Sequence, residues 1–461
     1  MLRRNFLQGM GALPALAQES RKRPNFVILF TDDQRFSTIR ALGNSEVHTP
    51  NLDRLAKRGV AFTHASIMGG TQGAVCVPSR AMLMTGQSLF RAARNTGSTP
   101  GEKSAPGPYH LLPELMGKNG YKTFATGKWH NGPKLFQRCF QDGGNIFFGG
   151  MGDQLKMPVQ DFDPTGAYPK DRIRPSGKFA SELFADTAIE FLRKQNGNDP
   201  FLLYCPFTSP HDPRMAPKQF TDLYKPEKIK LPPNFLAEHP FDNGELKVRD
   251  EMLAPFPRTP EVVREHIAGY YAMVSEVDAQ IGRVLDTVES SPFASNTYII
   301  FAGDNGLAVG QHGLMGKQNV YDHSVRVPLM LAGPSIPQGR RSDSFVYTFD
   351  IFPTICELAG IAVPDTVDGQ SLLAPVRNPE ERGRESMFYA YRTFQRAIRN
   401  REWKLIRYTV GGKETLQLFH VAKDPWETKN LAGDPAQAQR IRQLSAQLNA
   451  WQLRTMDPMA G

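Results

Sequence analysis

Two acidic pairs, Asp32-Asp33 and Asp304-Asn305, supply hard oxygen ligands of the kind that hold Ca2+ or Mg2+ rather than a soft metal. Either pair alone reads as a turn or a helix cap. Together, at the ends of two strands, they read as a divalent site. A second feature is the stretch "CVPSRAMLMTG", which sets Cys76 two residues before Pro78 and four before Arg80. Pro78 suits the first turn of a helix and Gly86 its end, so Cys76 stands where free backbone N–H groups favour an anion. Arg80 follows closely, and Lys128 and Lys317 can join it, which makes a pocket for sulfate, phosphate or phosphonate. Such a setting lowers a thiol's pKa, so Cys76 could act as a thiolate nucleophile. A thiolate beside an oxygen-ligated divalent ion, however, mixes soft with hard.

These residues need a frame that brings them together. Five short apolar runs read as buried strands: "NFVILF" (25–30), "YKTFAT" (121–126), "FLLYCPF" (201–207), "TYIIFA" (297–302) and "VPLML" (327–331). They are near-continuous rather than alternating, as parallel strands covered on both faces are. Apolar positions three or four apart predict helices over 180–194 and 263–288. Alternating strands and helices indicate a doubly wound α/β domain. Four of the strands are followed by reactive side chains: Asp32 and Asp33, then Lys128 and His130, then His211, then Asp304 and Asn305. Open α/β sheets bind ligands at that carboxyl edge.

The regions 133–180 and 208–262, rich in Pro, Gly and charge, read as long loops over this edge. Past residue 375 the texture changes to a small antiparallel sheet with a Gly411-Gly412 turn and a terminal helix. The division drawn is a catalytic domain over 18–375 and a smaller α+β subdomain over 376–461.

The 461 residues carry 55 Lys+Arg against 46 Asp+Glu, a net +9, which suits an anionic substrate. No basic block with interleaved aromatics speaks for nucleic acid, and no apolar run is long enough for stable membrane insertion. Four scattered cysteines make no disulfide framework and no paired metal spacing. Cys205 and Cys356 lie in apolar runs and read as buried hydrophobes, while Cys139 carries no signal. Arg3 and Arg4, a short small-residue apolar stretch and Ala15-Leu16-Ala17 read as a Tat-type export signal over 1–17, which places the protein in the periplasm.

C-x-P-S-R followed by four residues and Thr-Gly is the signature of type I sulfatases, and "CVPSRAMLMTG" resembles it without a departure. "NFVILFTDDQ", "TPNLDRLAKRGVAFTHAS", "GYKTFATGKWH", "FAGDNG" and "GQHGLMGKQNVYDHSVRVPL" extend the resemblance in the family's order. It implies an alkaline-phosphatase-like fold, with Cys76 oxidised to Cα-formylglycine by a separate formylglycine-generating enzyme. It further implies one Ca2+ ion on Asp32, Asp33, Asp304, Asn305 and the modified Cys76. A hydroxyl of the hydrated aldehyde would attack sulfur, with Arg80, Lys128 and Lys317 neutralising the sulfate oxygens. His211, with Lys317, would protonate the leaving alcohol, and His130 would take the second hydroxyl's proton as sulfate departs.

The resemblance points to a sulfated carbohydrate or another sulfate ester as substrate. A phosphodiesterase or phosphonate monoester hydrolase would use the same pocket, and a non-catalytic sulfated-glycan binder is the third reading. His312 and His323 lie near Lys317 but read equally as structural. Arg214, just after His211, is a candidate reader of a sugar substituent. Oligomeric state is left open.

Overall fold

A computed structural model describes residues 22–100, 106–378 and 380–460. The export segment drawn over 1–17 lies outside the described residues. In chain order the strands are β1 (Asn25–Thr31), β2 (Gly59–Ser66), β3 (Gly69–Gly70), β4 (Lys122–Lys128) and β5 (Asp142–Phe147). Then come the two-residue β6 (Pro158–Val159) and β7 (Arg174–Pro175), followed by β8 (Phe201–Pro206), β9 (Thr297–Gly303), β10 (Leu329–Ala332) and β11 (Arg340–Tyr347). The last four are β12 (Met387–Tyr391), β13 (Gln395–Arg399), β14 (Lys404–Val410) and β15 (Lys413–Phe419).

An eight-stranded sheet runs in the order β11-β2-β10-β9-β1-β8-β4-β5. Its centre explains the unbroken apolar runs. On β1, Phe26, Ile28 and Phe30 enter one core cluster while Val27 and Leu29 enter another on the opposite face. β8 and β9 divide in the same way, with Leu202 and Ile300 on the first face and Leu203 and Phe301 on the second. Each such large side chain contributes roughly 1.5–3 kcal/mol by leaving water. The helix Ala180–Arg193 and the 30-residue helix Pro260–Glu289 cover the second face with Phe184, Ala188, Ile281 and Val284. Thr259 caps the long helix by accepting from the Val262 N–H.

The sheet is mostly parallel, as expected, and the exception is one of the five runs read as parallel strands. β10, within the run expected at 327–331, is antiparallel to both β9 and β2, while the other pairs in the sheet are parallel. The physical reason is its connection. The chain leaves β9 at the site edge, stays there through the four-residue helix Asp322–Val325, and re-enters the sheet from the same edge. The region 133–180, expected as loop, also contains the helix Pro133–Cys139 and the edge strand β5. β5 reads "DGGNIF", too polar and glycine-rich to signal a buried strand.

The C-terminal strands β12–β15 form the antiparallel meander expected, and Gly411 and Gly412 make its last turn with φ of 56° and 78°. A fifth strand was not foreseen: β3 pairs parallel to β12, Gly69 against Ala390 and Gly70 against Tyr391. Gly69 has φ 111°, and a Cβ there would lie 1.9 Å from the Ala390 carbonyl oxygen, so the pairing requires glycine. The small sheet thereby holds the segment that leads into Cys76. The terminal helix is Ala438–Arg454, packed through Leu444, Leu448 and Trp451.

Candidate active site

The carboxyl ends of β1, β4, β8 and β9 deliver Asp32, Lys128, His211 and Asp304 to one buried centre. Cys76 is the first residue of the helix Cys76–Thr85, which Gly86 closes at φ 66° with its N–H on the Met82 carbonyl. All four cysteines are buried and unpaired. The Cys76 thiol is pushed up by burial, against the pull of Lys128 and Lys317, so it is held as a thiol.

Three cations face the three carboxylates, and Arg80 serves two of them, with Nη2 also 3.8 Å from Asp32 Oδ2. Arg80 Nε and Nη2 donate to Asp304 Oδ2 at 3.1 and 2.9 Å, and its Nη1 donates to the Lys128 carbonyl at 2.7 Å. Lys128 Nζ pairs with Asp32 Oδ2 and lies 3.8 Å from Cys76 Sγ. Lys317 Nζ reaches Asp33 Oδ1 at 2.6 Å. Burial and the neighbouring Asp304 push Asp32 up to about 8, against Lys128. Burial would raise Asp33 too, but His211 and Lys317 outweigh it and hold Asp33 below the usual carboxylate range.

Three oxygens converge there with no hydrogen-bond partner: Asp32 Oδ1, Asp33 Oδ2 and Asn305 Oδ1, all buried. Leaving a buried polar atom unpaired costs about 1–3 kcal/mol. Ligand atoms of Asp32, Cys76 and Asp304 lie within 4.8 Å of one another, as do those of Asp32, Asp33 and His211. An oxygen-rich set of this kind fits a hard divalent cation.

His130 and Asp33 both have left-handed backbones, φ 64° and 63°, unusual for residues with a side chain. Asp33 is held from two sides: its N–H donates to Asp304 Oδ1 at 3.0 Å, and its carbonyl accepts from Tyr270 Oη at 2.6 Å. His130 Nδ1 lies 3.1 Å from Cys76 Sγ. Burial, with Lys128 and Arg80 nearby, drives its pKa down to about 2, so the ring is neutral. A Cβ on Gly150 would come within 2.9 Å of that ring, so the glycine makes room for it. His211 Nδ1 donates to the Asp212 carbonyl at 2.8 Å, which turns Nε2 towards Asp33 Oδ2 at 3.7 Å. Burial lowers His211 to about 4, against the opposing pull of Asp33.

The centre opens into a pocket of about 290 Å3 lined by Cys76, His130, His211 and Lys317. Gly73, Gly150, Arg249, Asp250 and Gln318 are also in its wall, and the sequence alone singles out none of them. They sit in loops whose approach to the sheet edge no local pattern announces. His312 stacks on Tyr321 with centroids 3.9 Å apart, and His323 bonds Ser324 Oγ at 2.9 Å. Neither lines the pocket. Arg214 lies over the Tyr270 ring, 5.4 Å from its centroid, with Nη1 on the Pro210 carbonyl, and does not line it either.

The family model described as Sulfatase matches residues 24–361, and that described as N-sulphoglucosamine sulphohydrolase, C-terminal, matches residues 310–454. The Ulvan-active sulfatase of Formosa agariphila is 29% identical over 94% of this chain and 81% of its own length. The choline-sulfatase of Rhizobium meliloti is 30% identical over 90% and 83%. A solved structure of a protein in complex with its substrate D-glucosamine-2-N, 6-O-disulfate shares the fold with a TM-score of 0.78 at 23% identity, over 95% of this chain and 99% of that one. The signature around Cys76 and a family match over most of the chain agree: this protein belongs to the sulfatase family.

Proposed function

We propose that this sulfatase acts on a sulfated carbohydrate, with one Ca2+ ion and with Cys76 converted to Cα-formylglycine. The observation that carries the reading is the meeting of three unpaired buried oxygens with three cations around residue 76. Asp32, Asp33, Asp304 and Asn305 would hold the ion. Bound there, Ca2+ supplies Lewis-acid polarisation, and the hydrated aldehyde supplies an oxygen nucleophile in place of sulfur. A thiol held protonated by its surroundings is a poor nucleophile in its own right, which favours the modified residue.

Arg80 is immobilised by Asp304 and the Lys128 carbonyl, so its charge is fixed before substrate arrives. Lys317 brings its ammonium group to the pocket wall, and Lys128 sets another behind residue 76, 3.8 Å from its Sγ, so that both can offset the charge sulfate oxygens gain as the ester bond breaks. His211, its Nδ1–H tied to the Asp212 carbonyl, bears no proton on Nε2 while the ring is neutral; in its imidazolium form it would hand the Nε2 proton to the leaving alcohol. His130, neutral and 3.1 Å from the side-chain atom of residue 76, is placed to take a proton there.

The carbohydrate assignment draws support from the printed names of relatives, an ulvan-active sulfatase among them, and from the neighbour solved with a sulfated glucosamine. The twin arginines at 3 and 4 support export to the periplasm. The deciding experiment assays matured enzyme on matched sulfate esters and phosphate diesters, with bound metal measured alongside. Preference for sulfate with about one Ca2+ per chain is the expected result. Preference for the phosphate diester overturns it.

A further inference from the structure

We propose that Arg249 and Asp250 form a fixed bracket that recognises hydroxyl groups on the sugar carrying the sulfate, and that Asp250 makes the pocket select a neutral sugar over one bearing a carboxylate. The inference rests on the sulfate-ester reading above and deepens it. Both residues line the pocket together with Cys76 and His211.

Arg249 is bound on two sides. Its Nη1 pairs with Asp212 Oδ2, its Nη2 lies 3.3 Å from Asp212 Oδ1, and its Nε lies 3.1 Å from Asp250 Oδ1. The Arg249 side chain is nonetheless 43% exposed, whereas those of Asp212 and Asp250 are 5% and 9% exposed. Both carboxylates are anchored from behind. Asp212 Oδ1 lies 3.3 Å from His211 Nδ1, and Asp250 Oδ2 accepts from Gln318 Nε2 at 2.8 Å. The same Gln318 nitrogen donates to the Gly73 carbonyl at 2.9 Å, three residues before Cys76. A solvated arginine would keep its rotamer freedom, but this one is locked to groups that also hold His211 and the loop leading to residue 76.

A guanidinium offers only donors and a carboxylate only acceptors, so the two side by side match hydroxyls, which need both. The placement of charge sets the selectivity. Arg249 already has its charge met by Asp212 and Asp250, and Lys317, which also lines the pocket, is paired with Asp33. Asp250 is the carboxylate that faces the pocket, so a substrate carboxylate placed against it would be repelled where a hydroxyl is welcomed. Arg214, the arginine nearest His211 in sequence, cannot serve because its guanidinium is over Tyr270.

The test compares kcat/KM of matured wild type, Arg249→Ala and the isosteric Asp250→Asn on three probes. These are 4-nitrophenyl sulfate, a sulfated neutral hexose and a sulfated hexuronate. Wild type is expected to prefer the hexose over the hexuronate. Asp250→Asn should shift that preference towards the hexuronate by about tenfold or more, chiefly through KM. Arg249→Ala should lower the hexose-to-aryl ratio by about tenfold, since the aryl group offers no hydroxyls to the bracket. Melting curves confirm that each variant is folded. Equal losses on hexose and aryl sulfate would assign Arg249 only to holding Asp212 and His211, and would overturn the proposal. So would a wild type that prefers the hexuronate, or an Asp250→Asn ratio that does not move. Matured wild type inactive on all three sulfates would instead overturn the sulfate-ester reading, and this inference with it.

Discussion

The Asp33 carboxylate is divided between two roles: Oδ1 accepts from Lys317 at 2.6 Å and from Asn305 Nδ2 at 2.7 Å, whereas Oδ2 is buried with no donor. Ligand atoms of Asp33 and Asp32 lie within 4.8 Å of each other, and Asp32 Oδ1 and Asn305 Oδ1 are likewise buried without a partner. Asp33→Ala should therefore lose bound Ca2+ and nearly all turnover, read by elemental analysis and by sulfate release. Chelation should lower the melting temperature of wild type, because an ion that binds only the folded chain stabilises it by mass action. Undiminished activity at near-zero metal content would remove the ion from the mechanism.

Residue 76 gives a prediction about mass. Active protein should carry formylglycine there, about 18 Da lighter than cysteine, visible in the peptide containing residue 76. Cys76→Ala should be folded and inactive. Full activity from a preparation whose residue 76 is unmodified cysteine would return the thiol to consideration.

The two histidines should respond differently to the leaving group. His211→Ala should cost about 10²–10⁴ in rate on a sugar sulfate, the usual worth of a general acid. An activated aryl sulfate, whose phenolate departs unaided, should lose far less. In His130→Ala the alcohol should leave in a burst and turnover then stall, with either substrate. Equal penalties across both substrates and no burst would show two anion-binding rings and no division of labour.

Glu276 provides a pH dependence from a carboxyl that is not among the residues that would hold the metal. It is fully buried in the long helix, beside Ser181 and Ser209, which bond each other at 3.0 Å. Burial pushes its carboxyl from 4.5 up to about 8, and neither of its oxygens has a hydrogen-bond partner. The folded state thus holds a proton that the unfolded state releases across that interval. The contribution is fully present below 4.5 and is lost as pH rises through about 8. Glu276→Gln has nothing to titrate, so the melting temperature of wild type minus that of the variant should fall by a few degrees from about pH 5 to about pH 9. A difference that stays constant with pH would mean the carboxyl is solvated in the folded protein.

What was legible in the sequence follows from how each feature is determined. β1, β8 and β9 are buried on both faces, and a doubly buried strand must be apolar at every position, so composition announces it. β11, at the sheet's edge, reads "RRSDSFVY" with a register shift inside it, and its chemistry is that of a loop until a partner lies alongside. The direction of β10 depended on a connection and not on its own residues. The site divides in the same manner. Lys128 ends its strand and Asp32, Asp33, Asp304 and Asn305 follow theirs directly, so the frame places them once the strands are found. Arg249, Asp250 and Gln318 reach the pocket from loops, and Asp212, which follows His211, is marked as a partner only by the arginine that crosses to it.

The pairing of Gly69 with Ala390 also has a meaning in time. A chain is made from its N-terminus, so the segment before Cys76 exists long before the strand that will hold it. While synthesis continues, that segment has no neighbour in the small sheet. The side chains around residue 76 itself, Asp32, Lys128, His130 and Asp304, all belong to earlier parts of the chain. What the last-made fifth of the chain adds is the anchor of the strand that leads into Cys76, the final constraint on a site whose other parts are already made.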